Sequence, residues 1–248
     1  MITVMLAMLT RLRHGAWYAL ALITALPAGA GNFSIAPVRV ELQGAQRTAV
    51  LAVHNDDDEP LIIQSTALSW SQSSGEDQTE ATRDLLVTPP VFTIAAKAEQ
   101  VLRIALRTAP DQDREHEYRL LLAEVPGPPD KDFTGLRLAL RLSIPVFVAP
   151  GSPAAAQLQW QARRQSDGSL AVIATNNGNA HLQVTDFRLY FGSASVVAPV
   201  LVSRYVLPGS SITWQVTPPA GAAADAALSV HGSSDAGEFQ ADVVTLDR

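Results

Sequence analysis

Leu136-Arg137-Leu138-Ala139-Leu140-Arg141-Leu142-Ser143-Ile144-Pro145-Val146-Phe147-Val148 is the stretch on which the fold turns. Its even-numbered positions are Leu, Leu, Leu, Leu, Ile, Val and Val; its odd-numbered ones are Arg, Ala, Arg, Ser, Pro and Phe. Side chains alternate across a β-strand, so the pattern predicts one unbroken apolar face and one mostly polar face. Extended at ~3.3 Å per residue, the segment would run ~43 Å, about twice the usual strand. Periodicity alone reads it as a core strand. At a sheet edge the same ridge is an aggregation hazard, unless another chain's strand is meant to pair with it.

Working outward, short apolar or alternating runs separated by Gly, Pro, Asn and Asp clusters fill the chain from Phe33 onward. They predict strands near 33–42, 47–54, 61–70, 85–94, 99–107, 117–125 and 136–148, a number suited to one immunoglobulin-like sandwich. No segment combines a helical period with caps. Ala149-Pro150-Gly151-Ser152-Pro153 cannot continue a strand and marks a domain junction. Beyond it, strands are expected near 156–162, 169–175, 181–191, 196–206, 211–217, 226–231 and 238–246. The predicted organisation is 31–150 for the first domain and 151–248 for the second.

Residues 1–30 stand apart. Arg11 and Arg13, with no acid, precede the apolar run Ala16–Leu26, and Ala28-Gly29-Ala30 supplies small residues for cleavage. This order predicts a secretory signal peptide, since eleven apolar residues fall short of the ~20 that cross a bilayer. No later stretch is long and apolar enough to span one, so no membrane insertion is expected after cleavage. Losing Arg11 and Arg13 takes the net charge from −6 to −8, which argues against a general nucleic-acid partner. The chain has no cysteine, so thiol catalysis, zinc–thiolate sites and disulfides are excluded.

Catalytic and metal signatures are missing. Asp56-Asp57-Asp58-Glu59 lacks the alternating ligands and glycine of a calcium loop and reads as a solvated turn. His54, His116, His181 and His231 have no metal-ligand spacing. Ser69 and Ser71 flank Trp70 without a nucleophile elbow. Asp130-Lys131-Asp132 reads as a soluble loop, and Trp70, Trp160 and Trp214 as core anchors. No catalytic residue, metal or cofactor is assigned.

Several motifs, in order, resemble the PapD-like periplasmic pilus-assembly chaperones. They are Ser34-Ile35-Ala36-Pro37-Val38-Arg39-Val40, Val53-His54-Asn55-Asp56, Thr88-Pro89-Pro90-Val91, and Asp113-Arg114-Glu115 followed by Tyr118–Pro126. Asn176-Asn177-Gly178-Asn179-Ala180-His181 and Val206-Leu207-Pro208-Gly209 are similar to turns of the family's second domain. The Ser143–Val148 form is closest to the Csu-like archaic branch. The resemblance implies an all-β protein of two immunoglobulin-like β-sandwich domains in an L shape, with a cis proline in the Thr88-Pro89-Pro90 turn. It implies a periplasmic chaperone, not an enzyme, that completes pilin subunits by donor-strand complementation and hands them to an outer-membrane usher.

The resemblance assigns Leu136, Leu138 and Leu140 to the donor positions, with Leu142 and Ile144 extending the ridge, and gives Arg39 the subunit's terminal carboxylate. A lysine that shares that task in well-studied members is replaced by Pro145. Arg119, in an otherwise apolar strand, is the substitute candidate; the alternatives are a surface arginine or an internal pair with Glu115 or Glu124. For Arg39 the alternative is likewise a surface role. Glu115 matches an acid of the family's interdomain ion-pair network, but Ala149 replaces that network's arginine, which leaves Glu115 a turn role. A self-capping dimer through the donor strand is a further partner the resemblance allows. A secreted immunoglobulin-like structural or adhesive fibre component is the competing expectation.

Overall fold

The computed structural model describes residues 33–127, 138–199, 204–223 and 225–246. The signal-peptide assignment at 1–30 and the first donor position, Leu136, lie outside them. Among the described residues there are eighteen strands and no helix, hence no helix long and apolar enough to cross a membrane.

Residues 33–148 form two sheets facing one core. One holds β1 (Phe33–Ala36), β3 (Thr48–Asn55), β8 (Glu99–Leu106) and β6 (Leu85–Thr88), in the order β1-β3-β8-β6. The other runs β2 (Val40–Leu42), β10 (Arg141–Val148), β9 (His116–Glu124), β4 (Leu61–Ser73) and β5 (Glu76–Ala81), with β7 (Val91–Ile94) also on β4. Alternation puts Leu51, Val53, Ile63, Leu102, Ile104, Leu120 and Leu122 wholly inside.

Two predicted strands are each split in two, and one strand was not predicted. The expected 33–42 strand is two, parted at the cis Ala36–Pro37 bond, after which the chain crosses to the other sheet. The expected 85–94 strand is likewise β6 and β7, parted at Thr88–Pro89, which is cis as expected of that turn. β5 was not foreseen because Glu76–Ala81 is polar and exposed throughout, with no alternation to read. It exists as a hairpin on β4, closed by Ser74 and Gly75, both at positive φ, the two-residue turn whose twist matches the strands it joins.

The second half adds β11 (Leu158–Arg164), β12 (Leu170–Asn176), β13 (Leu182–Phe191), β14 (Ala194–Val197), β15 (Arg204–Val206), β16 (Ser211–Val216), β17 (Leu228–Ser234) and β18 (Gly237–Leu246). They enclose a separate core in which Trp160 packs on Phe187, Trp214 and Phe239. Each half pins a turn with a fully buried asparagine. Asn55 donates to the carbonyls of Glu59, Ile94 and Ala95, and Asn176 to those of Ala180 and Val206. A buried amide must be satisfied, and the ends of β3 and β12 are built to do so. The 149–153 junction is anchored to the first half: Ala149, Gly151 and Ser152 donate backbone N–H groups to Leu42, Asp111 and Gln112.

Trp70 departs from its expected role. It sits with Phe147, Leu207 and Tyr205 in a third cluster between the two cores.

Candidate functional site

The site begins with how little of β10 its neighbours cover. β9 pairs along its whole length, Arg141↔Ala123 to Val148↔His116. On the other edge β2 reaches only Val146, Phe147 and Val148. Leu140 O accepts from Glu124 N at 2.9 Å, so even-numbered residues turn their backbone groups to β9. Ala149 N reaches Leu42 O, so odd-numbered ones face the β2 side. Among the described residues, Arg141 and Ser143 therefore present unpaired N–H and C=O groups on the open edge. Pro145 ends that open stretch: it has no N–H, and its carbonyl faces β2 where the Val146↔Val40 pairing begins.

The ridge is shorter than the sequence suggests. Leu138 and Ala139 are exposed and, with Leu140, precede the regular strand, which starts at Arg141 rather than continuing from 136. Leu138 is 56% exposed, while Leu140 and Leu142 are half-buried against the first core. Ile144 is a correction. At 1% exposure it lies inside its own domain's core with Val146 and Val148, because its side of the strand faces the other sheet, whose Leu51, Val53, Leu102 and Ile104 belong to the same cluster. The described part of the available row is Leu138, Leu140 and Leu142.

The odd-numbered face of β10 meets a cleft floored by aromatic rings. Phe147 stacks on His181 with centroids 3.5 Å apart, and Trp70 stands edge-on to Tyr205. Arg119 is the cross-strand partner of Pro145, so the strand geometry puts its cation beside the position where the expected lysine is missing. Its guanidinium lies 3.5 Å over the Trp70 ring, a cation–π contact, and Nη2 is 3.5 Å from Asp77 Oδ2. Burial pulls the Arg119 pKa down, against the pull of Asp77. The internal pairs expected with Glu115 or Glu124 do not form; the acid comes from β5, the unforeseen strand.

Arg39 lies in the bend before β2. Its Nη1 donates to Asp235 Oδ2 at 2.7 Å and its Nε is 2.9 Å from Glu41 Oε1. Burial lowers its pKa, but hydrogen bonds to Asp235 and Tyr205 and the charges of Glu41 and Asp235 outweigh it, leaving a net rise. Tyr205 brings the two arginines together: it bonds Arg39, and its ring centroid is 5.8 Å from Arg119.

Glu115 is more than a turn residue. It is buried, and its Oε1 accepts from His181 N at 3.0 Å and lies 2.7 Å from His181 Nδ1. His181 Nε2 is 3.7 Å from Asp235 Oδ2, so Glu115, His181, Asp235 and Arg39 form one chain of contacts between the halves. Arg114 donates to Pro208 O, and Gln72 bonds Tyr205 O and Leu207 N. Glu117, opposite Phe147, is buried with Oε1 unpartnered; burial and then the Glu115 charge push its pKa up to about 8, against Arg114. Sequence reading missed His181, Tyr205, Asp235 and Glu117 as members of this cleft, since nothing local to them signals it. Among the described residues no cluster of His, Asp and Glu could hold a metal ion.

These features define a class: an immunoglobulin-like, two-sandwich protein with an open strand edge beside a cationic, aromatic cleft. Residues 32–154 match the family model described as pili and flagellar-assembly chaperone, PapD N-terminal domain. Through that match the chain belongs to the PapD-like chaperone family. The chaperone protein HifB of Haemophilus influenzae is 27% identical over 127 residues, covering 48% of this chain and 52% of HifB. The chain thus aligns with about half the length of the curated relatives it matches. Among solved structures, the CsuC–CsuE chaperone–tip adhesion subunit complex from the archaic Csu pili of Acinetobacter baumannii has a chain similar in fold. Its TM-score is 0.67 at 18% identity, over 88% of this chain and all of that one. A chain of the Salmonella enterica SafA pilin complex with the SafB chaperone gives 0.60 at 18% identity, over 86% and 97%. The E. coli chaperone DraB gives 0.59 at 22% identity, over 87% and 98%.

Proposed function

We propose that the chain is a periplasmic chaperone that binds pilus subunits by lending them a strand and passes them to an outer-membrane usher. Residues 1–30 direct export, 31–150 form the subunit-binding sandwich and 151–248 the second one. The observation that carries the reading is the open edge of β10 at Arg141 and Ser143, with Leu138 exposed beside it. A subunit strand pairing there extends the sheet by main-chain hydrogen bonds, and the leucine row fills the subunit's unfinished core. Each leucine buried contributes about 1.5–3 kcal/mol, offset in part by the ordering of two chains. Arg39, with Arg119 in place of the missing lysine, takes the subunit's C-terminal carboxylate. This step needs no bond chemistry and no nucleotide, because completion of the subunit's fold drives it.

Leu138→Asp tests the reading. The side chain is exposed, so the variant keeps the wild-type circular dichroism and melting curve. When it is co-expressed with pilin, soluble pilin in the periplasm should drop several-fold. Undiminished pilin recovery sinks the proposal. If the wild-type chain is recovered from periplasm with copies of itself and no pilin, the fibre-component reading takes its place.

A further inference from the structure

Arg39 is not a free cation awaiting a ligand. A guanidinium holds a carboxylate best through two parallel N–H bonds, either from Nε with Nη2 or from Nη1 with Nη2. Here each fork has at least one seat taken: Glu41 lies on Nε at 2.9 Å and Asp235 on Nη1 at 2.7 Å, and Tyr205 accepts a further bond. An incoming carboxylate gains a fork only by displacing one of them.

The two acids are not equivalent. Glu41 belongs to the same sandwich as Arg39, two residues further on. Asp235 comes from the β17–β18 turn of the other sandwich and is fixed by backbone. Its Oδ1 accepts from Gln183 N at 2.9 Å, and its own N donates to Gln183 O at 3.1 Å. Asp235 keeps another partner, since Gln183 N holds its Oδ1 whether or not Arg39 is bound. Glu41 likewise keeps Gln43 Nε2 on its Oε2 at 3.1 Å, so either acid can give up Arg39 and stay partnered; Asp235 is the one that occupies the Nη1–Nη2 fork and ties Arg39 to the other sandwich.

Resting on the reading of Arg39 as the carboxylate anchor, we propose that Asp235 competes for that anchor and sets how tightly Arg39 takes a subunit's terminal carboxylate. Capture is an exchange: the subunit carboxylate takes Nη1 and Nη2, and Asp235 is left on Gln183 N. Because Asp235 and Arg39 lie on different sandwiches, the exchange also removes a contact across the cleft.

The test uses an alternating valine–threonine peptide, made once with a free C-terminal carboxylate and once as the amide, titrated calorimetrically into the full mature chain. Asp235→Asn removes the charge and keeps an oxygen for Gln183 N. The variant is expected to bind the free acid about fivefold tighter, the scale of one partly exposed ion pair, with the amide unchanged. An unchanged or weaker affinity for the acid, or an equal gain for acid and amide, overturns the proposal. So does a gain seen in Glu41→Gln and not in Asp235→Asn. Arg39→Ala separates the two levels. If it abolishes the preference for acid over amide, the anchor reading stands and the Asp235 result alone decides; if the preference survives, the anchor reading fails and takes the proposal with it.

Discussion

Glu117 shows how much one residue's surroundings decide. Its neighbours in sequence, His116 and Tyr118, give no hint that its carboxyl is buried without a partner for Oε1. With its folded pKa raised from 4.5 to about 8, the folded protein holds a proton that the unfolded chain has lost. The contribution of Glu117 to stability is therefore full below pH 4.5, falls as pH rises from there to about 8, and is level above. Glu117→Gln keeps the shape and removes the titration. Thermal melts should show the variant more stable than wild type at pH 8.5, by roughly 2–4 °C for each 1 kcal/mol recovered, and the two alike near pH 4.5. A melting temperature that tracks wild type at every pH contradicts this account of Glu117.

At the scale of the element, β10 carries two opposite demands. Its C-terminal half is a core strand, with Ile144, Val146 and Val148 buried. Its N-terminal half keeps one backbone edge open because β2 is only three residues long. Ser143→Pro tests that division. The Ser143 N–H faces the open edge, so proline removes a donor that bonds no neighbour in the sheet, at the kind of edge position where sheets accept it. The expected outcome is an unchanged melting temperature with subunit affinity reduced about tenfold, from one lost main-chain bond and the steric block on an added strand. Unreduced subunit affinity would mean that another edge receives the partner. Leu138, Leu140 and Leu142 were legible as a row from alternation alone. That Ile144 belongs to the interior was not, because alternation gives the same side of the strand to residues that are covered and to residues that are not.

At the scale of the whole molecule, the two cores communicate through few side chains. Phe147 is buried and touches Trp70, His181 and Tyr205, so it joins β10 to the second sandwich. Phe147→Ala leaves both main cores intact and empties the joint, at a cost of about 3–5 kcal/mol. Calorimetry should then resolve two unfolding transitions in place of a more cooperative one. A single transition lowered as a unit would show that the sandwiches depend on each other beyond this cluster. Glu115 belongs to the same scale: Ala149 removes the arginine expected in the interdomain network, and His181 occupies the space between Glu115 and Asp235.

The sequence by itself determined the β character of both halves, the Thr88-Pro89-Pro90 turn, and the apolar row that belongs to one side of a strand. These follow from contacts between residues i and i+2, or from turn chemistry confined to a few residues. Tertiary structure alone decided which edge of that strand stays open, that Trp70 serves the joint rather than a core, and that Asp235 stands on Arg39. The physical reason is distance along the chain. Arg39 and Asp235 are 196 residues apart, and no local period records which charges the folded chain brings within 2.7 Å.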